Sequence, residues 1–349
     1  MRKGVKVFVL CVLVLFLLAA AAAVYCYRCL HYWQGDLKRT ISAGFEEKDA
    51  ALPDGSVIHY AEGPAGGPPL LLIHGQTGTW ADYARVLPAL SENWHVYAVD
   101  CYGHGASSHN ESKYYLRENG DDLIWFLQQV VGQPAVVSGH SSGGLLAAYV
   151  AAYGGSAVAG AVLEDPPVFS TEPGNFESSF AYLDTYKPMH DYTAGPQTEC
   201  WEAYYMRRCL WGQLYMASSM EGLANYAQHY HETHPGQPVQ YFFMPESINF
   251  TFLYTAQYDF RFGGHFYDYS WHSGISHADL LAAVKVPTVF LHTKASYTER
   301  GVLLAASSDE QARQAVQLIG DCELIELSSN HDIHRFKPRL FIDAVNRLL

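Results

Sequence analysis

Charge is scarce in this sequence. Of its 349 residues only 16% are Asp, Glu, Lys or Arg, against about 25% in an ordinary globular domain. The shortage falls hardest on the basic side, where 22 Lys and Arg face 35 Asp and Glu for a formal net charge of −13. Binding a phosphate backbone needs a basic stripe, so a nucleic-acid partner is excluded. The seven cysteines lack metal-ligand spacing and form no disulfide framework. Cys11, Cys26 and Cys29 lie in or beside an N-terminal apolar run, while Cys101, Cys200, Cys209 and Cys322 are scattered. Helix-like residues between Cys200 and Cys209 would hold those two apart as free thiols. Internal repeats are missing, and the one low-complexity tract is a run of alanines. Collagen-like and disulfide-stapled classes are thereby excluded. What is abundant is apolar mass: 49% of residues are hydrophobic and 14% aromatic. That is enough to bury a large core, which rules out a disordered chain.

The N-terminus reads as a separate object. Met1-Arg2-Lys3-Gly4-Val5-Lys6 is short and basic, and from Val7 to Tyr25 there is no charge. Val12-Leu13-Val14-Leu15-Phe16-Leu17-Leu18 leads into five alanines at 19–23. Residues 7–27 suffice to cross a hydrocarbon layer of ~30 Å as a helix. As an alternative, the leucine-rich stretch is the core of a signal peptide with small-residue cleavage sites at 19–23. Tyr25, Tyr27, Tyr32 and Trp33 resemble an interfacial belt, which favours the anchor. Residues 1–33 are therefore expected to be a transmembrane anchor or signal segment, with the folded domain outside the cytoplasm. Cleavage within 1–23 would instead release it. Basic residues on both sides (Arg2, Lys3, Lys6; Arg28, Lys38, Arg39) set the orientation only weakly.

After a polar linker at about 34–47, strand and helix patterns alternate. Strand-like runs occupy 57–60, 69–73, 94–99, 135–138 and 159–163, and helical periodicity occupies 80–90, 121–131 and 143–153. The alternation resumes with strands at 288–292 and 323–327 and helices at 309–319 and 338–349. Near-continuous apolar strands separated by helices predict an α/β fold, a mostly parallel sheet covered on both faces. Residues 34–166 and 275–349 form that core. The insertion at 167–274 has no such alternation and holds 26 aromatics, over half of the chain's total. A helical insertion at strand C-terminal ends sits where ligands bind, so it reads as a lid.

Gly139-His140-Ser141-Ser142-Gly143 fits G-x-S-x-G between an apolar strand and a helix-like segment. Small flanking residues tolerate a strained strand-to-helix turn that pushes the serine hydroxyl outward. The following helix N-terminus favours developing negative charge. On its own the pattern also suits an ordinary Gly-rich turn. Three further motifs argue against that. His74-Gly75-Gln76-Thr77 follows one apolar strand, Asp100-Cys101-Tyr102-Gly103-His104-Gly105 follows the next, and Asn330-His331-Asp332-Ile333-His334 precedes Pro338. In this order they resemble the α/β-hydrolase fold family, over about 58–167 and 282–349. The resemblance implies Ser141 as nucleophile and an oxyanion hole from the backbone N–H groups of Gln76 and Ser142. It implies His331 as the base, seven residues before Pro338. His334 and His292 are rivals, read as a helix-start or supporting residue and a strand-end residue.

The acid departs from the usual pattern. Family members commonly carry Asp in the loop after the 287–292 strand, but here that loop runs Thr293-Lys294-Ala295-Ser296-Tyr297-Thr298-Glu299-Arg300. A variant known in the fold places the acid after the strand that follows the nucleophile helix. That strand ends Val162-Leu163-Glu164-Asp165-Pro166, so Asp165 is favoured, with Glu299 and then Glu164 as alternatives. Asp165 also suits a plain strand-end cap before Pro166-Pro167.

His229-Tyr230-His231-Glu232-Thr233-His234 resembles a metal motif, but Thr233 replaces its Asp, so packing histidines are expected and no metal. Asn110-Glu111-Ser112 and Asn249-Phe250-Thr251 are sequons of chance-level weight. The resemblance thus implies a serine hydrolase acting on a small hydrophobic ester or thioester without a cofactor. Serine at the elbow disfavours haloalkane and epoxide chemistry. Alternatives are amide, C–C bond or peptidase-like hydrolysis on the same triad, or a non-catalytic binding protein that retains the fold.

Overall fold

The computed structural model describes residues 2–349, with side chains from residue 4 onward. Its centre is an eight-stranded sheet in the order β1-β2-β4-β3-β5-β6-β7-β8. The strands are β1 (Glu46–Ala51), β2 (Val57–Glu62), β3 (Pro69–Ile73), β4 (His95–Val99), β5 (Ala135–His140), β6 (Val158–Glu164), β7 (Thr288–Thr293) and β8 (Cys322–Leu327). β1 and β2 pair antiparallel, as do β2 and β4, and the remaining pairs are parallel. Every residue of β3 and β5 is buried, as a parallel strand covered on both faces requires. Side chains alternate between the two layers. Leu70, Leu72, Val136 and Val162 pack with Trp80, Tyr83 and Phe341 on one face. Leu71, Ile73, Val137 and Leu163 pack with Leu145 and Tyr149 on the other.

Strand order reverses at β3. The chain steps from β3 outward to β4, then returns to β5 on the opposite flank. Such a switch opens a crevice at the C-terminal ends of the two diverging strands. The loops after β3 and β5 carry Gln76 and Ser141 into it.

The N-terminal helix α1 (Arg2–Ser42) is unbroken over 41 residues, roughly 60 Å at 1.5 Å per residue. It is long and apolar enough to cross a membrane. Its second half lies on the folded domain: Cys29, Asp36 and Thr40 are buried, and the Thr40 hydroxyl donates to the Ala84 carbonyl at 2.8 Å. The linker expected at 34–47 is therefore corrected to the end of α1 followed by β1. Its polar residues pair across space with the domain and with β2, contacts that local composition does not reveal. The helix expected at 80–90 is a 3-10 turn, Trp80–Arg85, followed by the short helix Leu87–Leu90. The 167–274 insertion contains helices including Lys187–Ala194, Trp201–Arg208, Met220–Thr233 and Phe260–Tyr267, with no strand among the described residues. Cys200 and Cys209 flank the second of these and remain free thiols.

The apolar half of α1 makes a direct expectation. The full-length protein should sediment with membranes and resist high-salt extraction, whereas a chain beginning near Gln34 should stay in solution. A mature protein recovered from the medium with its N-terminus near Ala23 would instead show a cleaved signal.

Candidate active site

Ser141 sits at φ 55°, ψ −123° between β5 and the helix Ser142–Tyr153. A non-glycine residue rarely adopts that conformation, and such strain persists only where the surroundings over-determine it. Here they do. A Cβ at Gly139 would stand 2.0 Å from the Gly143 carbonyl oxygen, and one at Gly143 would stand 2.3 Å from that of His74. The Ser141 N–H donates to the Glu164 carbonyl at 2.9 Å, fixing the elbow to β6. Gly143→Ala should cost about 3 kcal/mol because backbone, not a flexible side chain, must yield. A melting curve of the variant matching that of the wild type would contradict this account of the elbow.

The loop after β3 is built to the same tolerance. A Cβ at Gly75 would lie 3.0 Å from Ser141 Cβ, so the backbone leading to Gln76 passes directly against the serine. His74 Nδ1–H donates to the Gly75 carbonyl at 2.6 Å and Nε2 accepts from the Cys101 N–H at 2.9 Å. Burial lowers the His74 pKa to about 4, which keeps this bridge neutral. Asp100 receives the Trp80 and Ala106 N–H groups at 2.7 and 2.9 Å, and a Cβ at Gly105 would collide with its carboxylate. The two glycine-bearing motifs thus brace the loop that presents Gln76. Ser142, whose N–H opens its helix, is buried beside Ser141.

Asp165 follows β6 at φ 44° and is fully buried. Its Oδ2 lies 2.7 Å from His331 Nδ1 and accepts the Thr293 hydroxyl at 2.6 Å, while Oδ1 accepts the Thr293 N–H at 2.9 Å. Burial opposes ionisation, but the nearby His292 imidazole and the bonds from His331 and Thr293 outweigh it and hold the carboxyl well below its ordinary range. The same contact works in reverse on His331. Burial disfavours its charged form, yet the Asp165 carboxylate raises its pKa above the usual histidine value.

The remaining candidates fall elsewhere. Glu299 is exposed and bonds to no histidine among the described residues. Glu164 is fully buried and receives the His334 backbone N–H at 2.7 Å and its Nδ1 at 2.9 Å. His334 is thus a partner of Glu164, and among the described residues no hydrogen bond joins it to Asp165. His292, on β7, bonds Asp309 through Nε2 at 2.8 Å and places Nδ1 3.4 Å from Asp165. Sequence reading missed Thr293 and His292 as neighbours of the Asp165 carboxylate, because they reach it from β7 across to the end of β6.

Ser141 and His331 line one cavity of about 390 Å³ together with Gln76. Among the described residues no hydrogen bond joins Ser141 to His331; catalytic hydrogen bonds of this kind commonly tighten on substrate binding. The insertion supplies much of the wall, including Tyr186, Tyr205, Trp211 and Phe250. Asp82, Asp184 and Asp332 also face the space. Burial raises the first two, to about 7 and about 6.

Residues 68–187 match the sequence family described as alpha/beta hydrolase fold. The magnesium-chelatase 30 kDa subunit of Rhodobacter capsulatus is 38% identical over 90 residues, 26% of this chain and 32% of that protein. A serine hydrolase-like protein of Homo sapiens is 28% identical over 138 residues, 39% of this chain and 68% of that protein. The chain thus matches only part of the length of each. Among solved structures, one described as a membrane phospholipase A superposes with a TM-score of 0.60 at 18% identity, covering 98% of this chain and 97% of that one. At such identity the likeness shows the fold.

Proposed function

Because this chain belongs to the α/β-hydrolase fold superfamily, a scaffold that does not by itself fix chemistry, we propose from its site that it is a serine hydrolase. It cleaves a hydrophobic carboxylic ester or thioester through an acyl-enzyme intermediate. One observation carries the reading: Ser141, on a strained elbow, shares a cavity with His331, whose other nitrogen is held by the buried Asp165.

Ser141 Oγ attacks the carbonyl carbon while His331 Nε2 takes its proton. The backbone N–H groups of Gln76 and Ser142 stabilise the oxyanion of the tetrahedral intermediate. As the intermediate collapses, His331 returns the proton to the departing alkoxide or thiolate. Water, deprotonated by the same histidine, then attacks the acyl-serine, releasing the acid and restoring the hydroxyl. Asp165 stays ionised throughout, holding Nδ1–H and stabilising the imidazolium.

The wall supports a neutral, apolar acyl group. Aromatic side chains offer dispersion contacts, and the Asp332 carboxylate, which the neighbouring histidines and Arg335 hold ionised, repels an anionic one. A panel of esters and thioesters of varied acyl length, run on the full-length protein, should show turnover of hydrophobic acyl groups and poor turnover of a succinyl ester. Preference for the succinyl ester would overturn the assignment of substrate class.

A further inference from the structure

The apolar run of α1 ends at Val24, and the domain meets the helix at the next residue. The Tyr25 hydroxyl donates to the Phe243 carbonyl at 3.3 Å. One turn on, the fully buried Asn249 donates through Nδ2 to the Cys29 carbonyl of α1 at 3.1 Å. The same side chain folds its own loop, donating to the carbonyls of Tyr241 and Met244 and accepting the Tyr241 N–H at 2.7 Å. The sequon asparagine is therefore consumed by packing. Glu246 is clamped by Arg85 and Arg335, each at 2.8 Å, and Arg85 also bonds Asp36 of α1.

Residues 240–252 are thus fastened to α1 at three successive levels. Since α1 is one unbroken helix, these contacts fix the height of the loop relative to the apolar run. At the level of Tyr25 the loop exposes Phe242 and Phe243, 45% and 42% accessible with ring centroids 5.0 Å apart. Scattered exposed apolar residues need no explanation. An adjacent pair bonded to the foot of a membrane-length helix through Tyr25 occupies the depth of an aromatic belt. The far end of the same loop supplies Ser247, Ile248, Phe250 and Thr251 to the wall of the Ser141 cavity.

We propose that residues 240–252 form a bilayer-seated rim of the active-site cavity, and that the substrate is a long-chain acyl ester of a membrane amphiphile taken from the adjoining leaflet. The inference rests on the serine hydrolase reading and on α1 crossing the membrane. It adds the source of the substrate: Phe242 and Phe243 sit among acyl chains, and the loop behind them leads to Ser141.

The test uses the full-length protein in phosphatidylcholine vesicles containing a fluorogenic dioleoyl ester, with p-nitrophenyl butyrate as the soluble comparison. Phe242→Ser combined with Phe243→Ser should lower turnover of the vesicle substrate about tenfold while leaving the soluble ester within about twofold. In parallel, the fluorescence that Phe243→Trp adds to that of the seven native tryptophans should be quenched by lipids brominated on their acyl chains. Equal loss on both substrates, no loss on the vesicle substrate, or an unquenched Trp would overturn the proposal. Self-association that depends on the two phenylalanines, without quenching, would assign the patch to a second copy and likewise overturn it. Should the wild type hydrolyse neither ester, the hydrolase reading fails, and quenching alone decides whether the rim is seated.

Discussion

Ser141→Ala is expected to reduce ester turnover by about 10⁶-fold, as when the nucleophile of such a triad is removed. The fold should be unchanged, because the hydroxyl plays no part in holding the elbow, which is fixed by the Ser141 N–H and by the glycines around it. Alanine has no atom able to form the acyl intermediate, and Ser142 cannot substitute for it. Ser142 lies buried in the first turn of the following helix. Steady-state kinetics with a matched circular dichroism spectrum checks both halves of this expectation. Retained turnover in the alanine variant would move the nucleophile elsewhere.

Asp165→Asn should lower turnover by about 10⁴-fold with little change in substrate binding, since the amide can present the wrong partner to Nδ1 and leave the imidazole in the wrong tautomer. Glu299→Gln should leave turnover nearly untouched, because an exposed carboxylate contributes only a screened field. The pH profile adds a signature. Asp165 raises the pKa of His331, and only the neutral imidazole accepts the serine proton. Activity is therefore lost as pH falls through that raised value, and the acid limb should lie above the ordinary histidine value of about 6.5. In Asp165→Asn the stabilising charge is gone, so the limb should move to lower pH. Near-normal activity in Asp165→Asn, or a limb that stays in place, would remove Asp165 from its assigned role.

Much of this site is legible in the sequence because its parts are local. G-H-S-S-G, His74-Gly75-Gln76 and the spacing from His331 to Pro338 are short patterns at strand ends, and their order along the chain sets their positions around the switch in strand order. The two adjacent carboxylates are different. The sequence places both Glu164 and Asp165 at the end of β6 and favours Asp165 for His331, but it assigns Glu164 no partner. In the structure they diverge as successive residues at a strand end do, Glu164 to His334 and Asp165 to His331. Thr293 and His292 were invisible as supports because they come from 128 and 127 positions further along the chain. β1 was likewise hidden. Its Glu46-Glu47 start falls within the expected linker, yet charge suits a sheet-edge strand, where it discourages pairing with another chain.

The central claim is that Ser141 is activated by His331 and Asp165. Labelling the full-length protein with a fluorophosphonate, then locating the adduct by peptide mass mapping, tests it most directly, because only an activated serine reacts. The account predicts one adduct, on Ser141, lost in His331→Ala. No adduct, an adduct on Ser142, or labelling undiminished without His331 would contradict it.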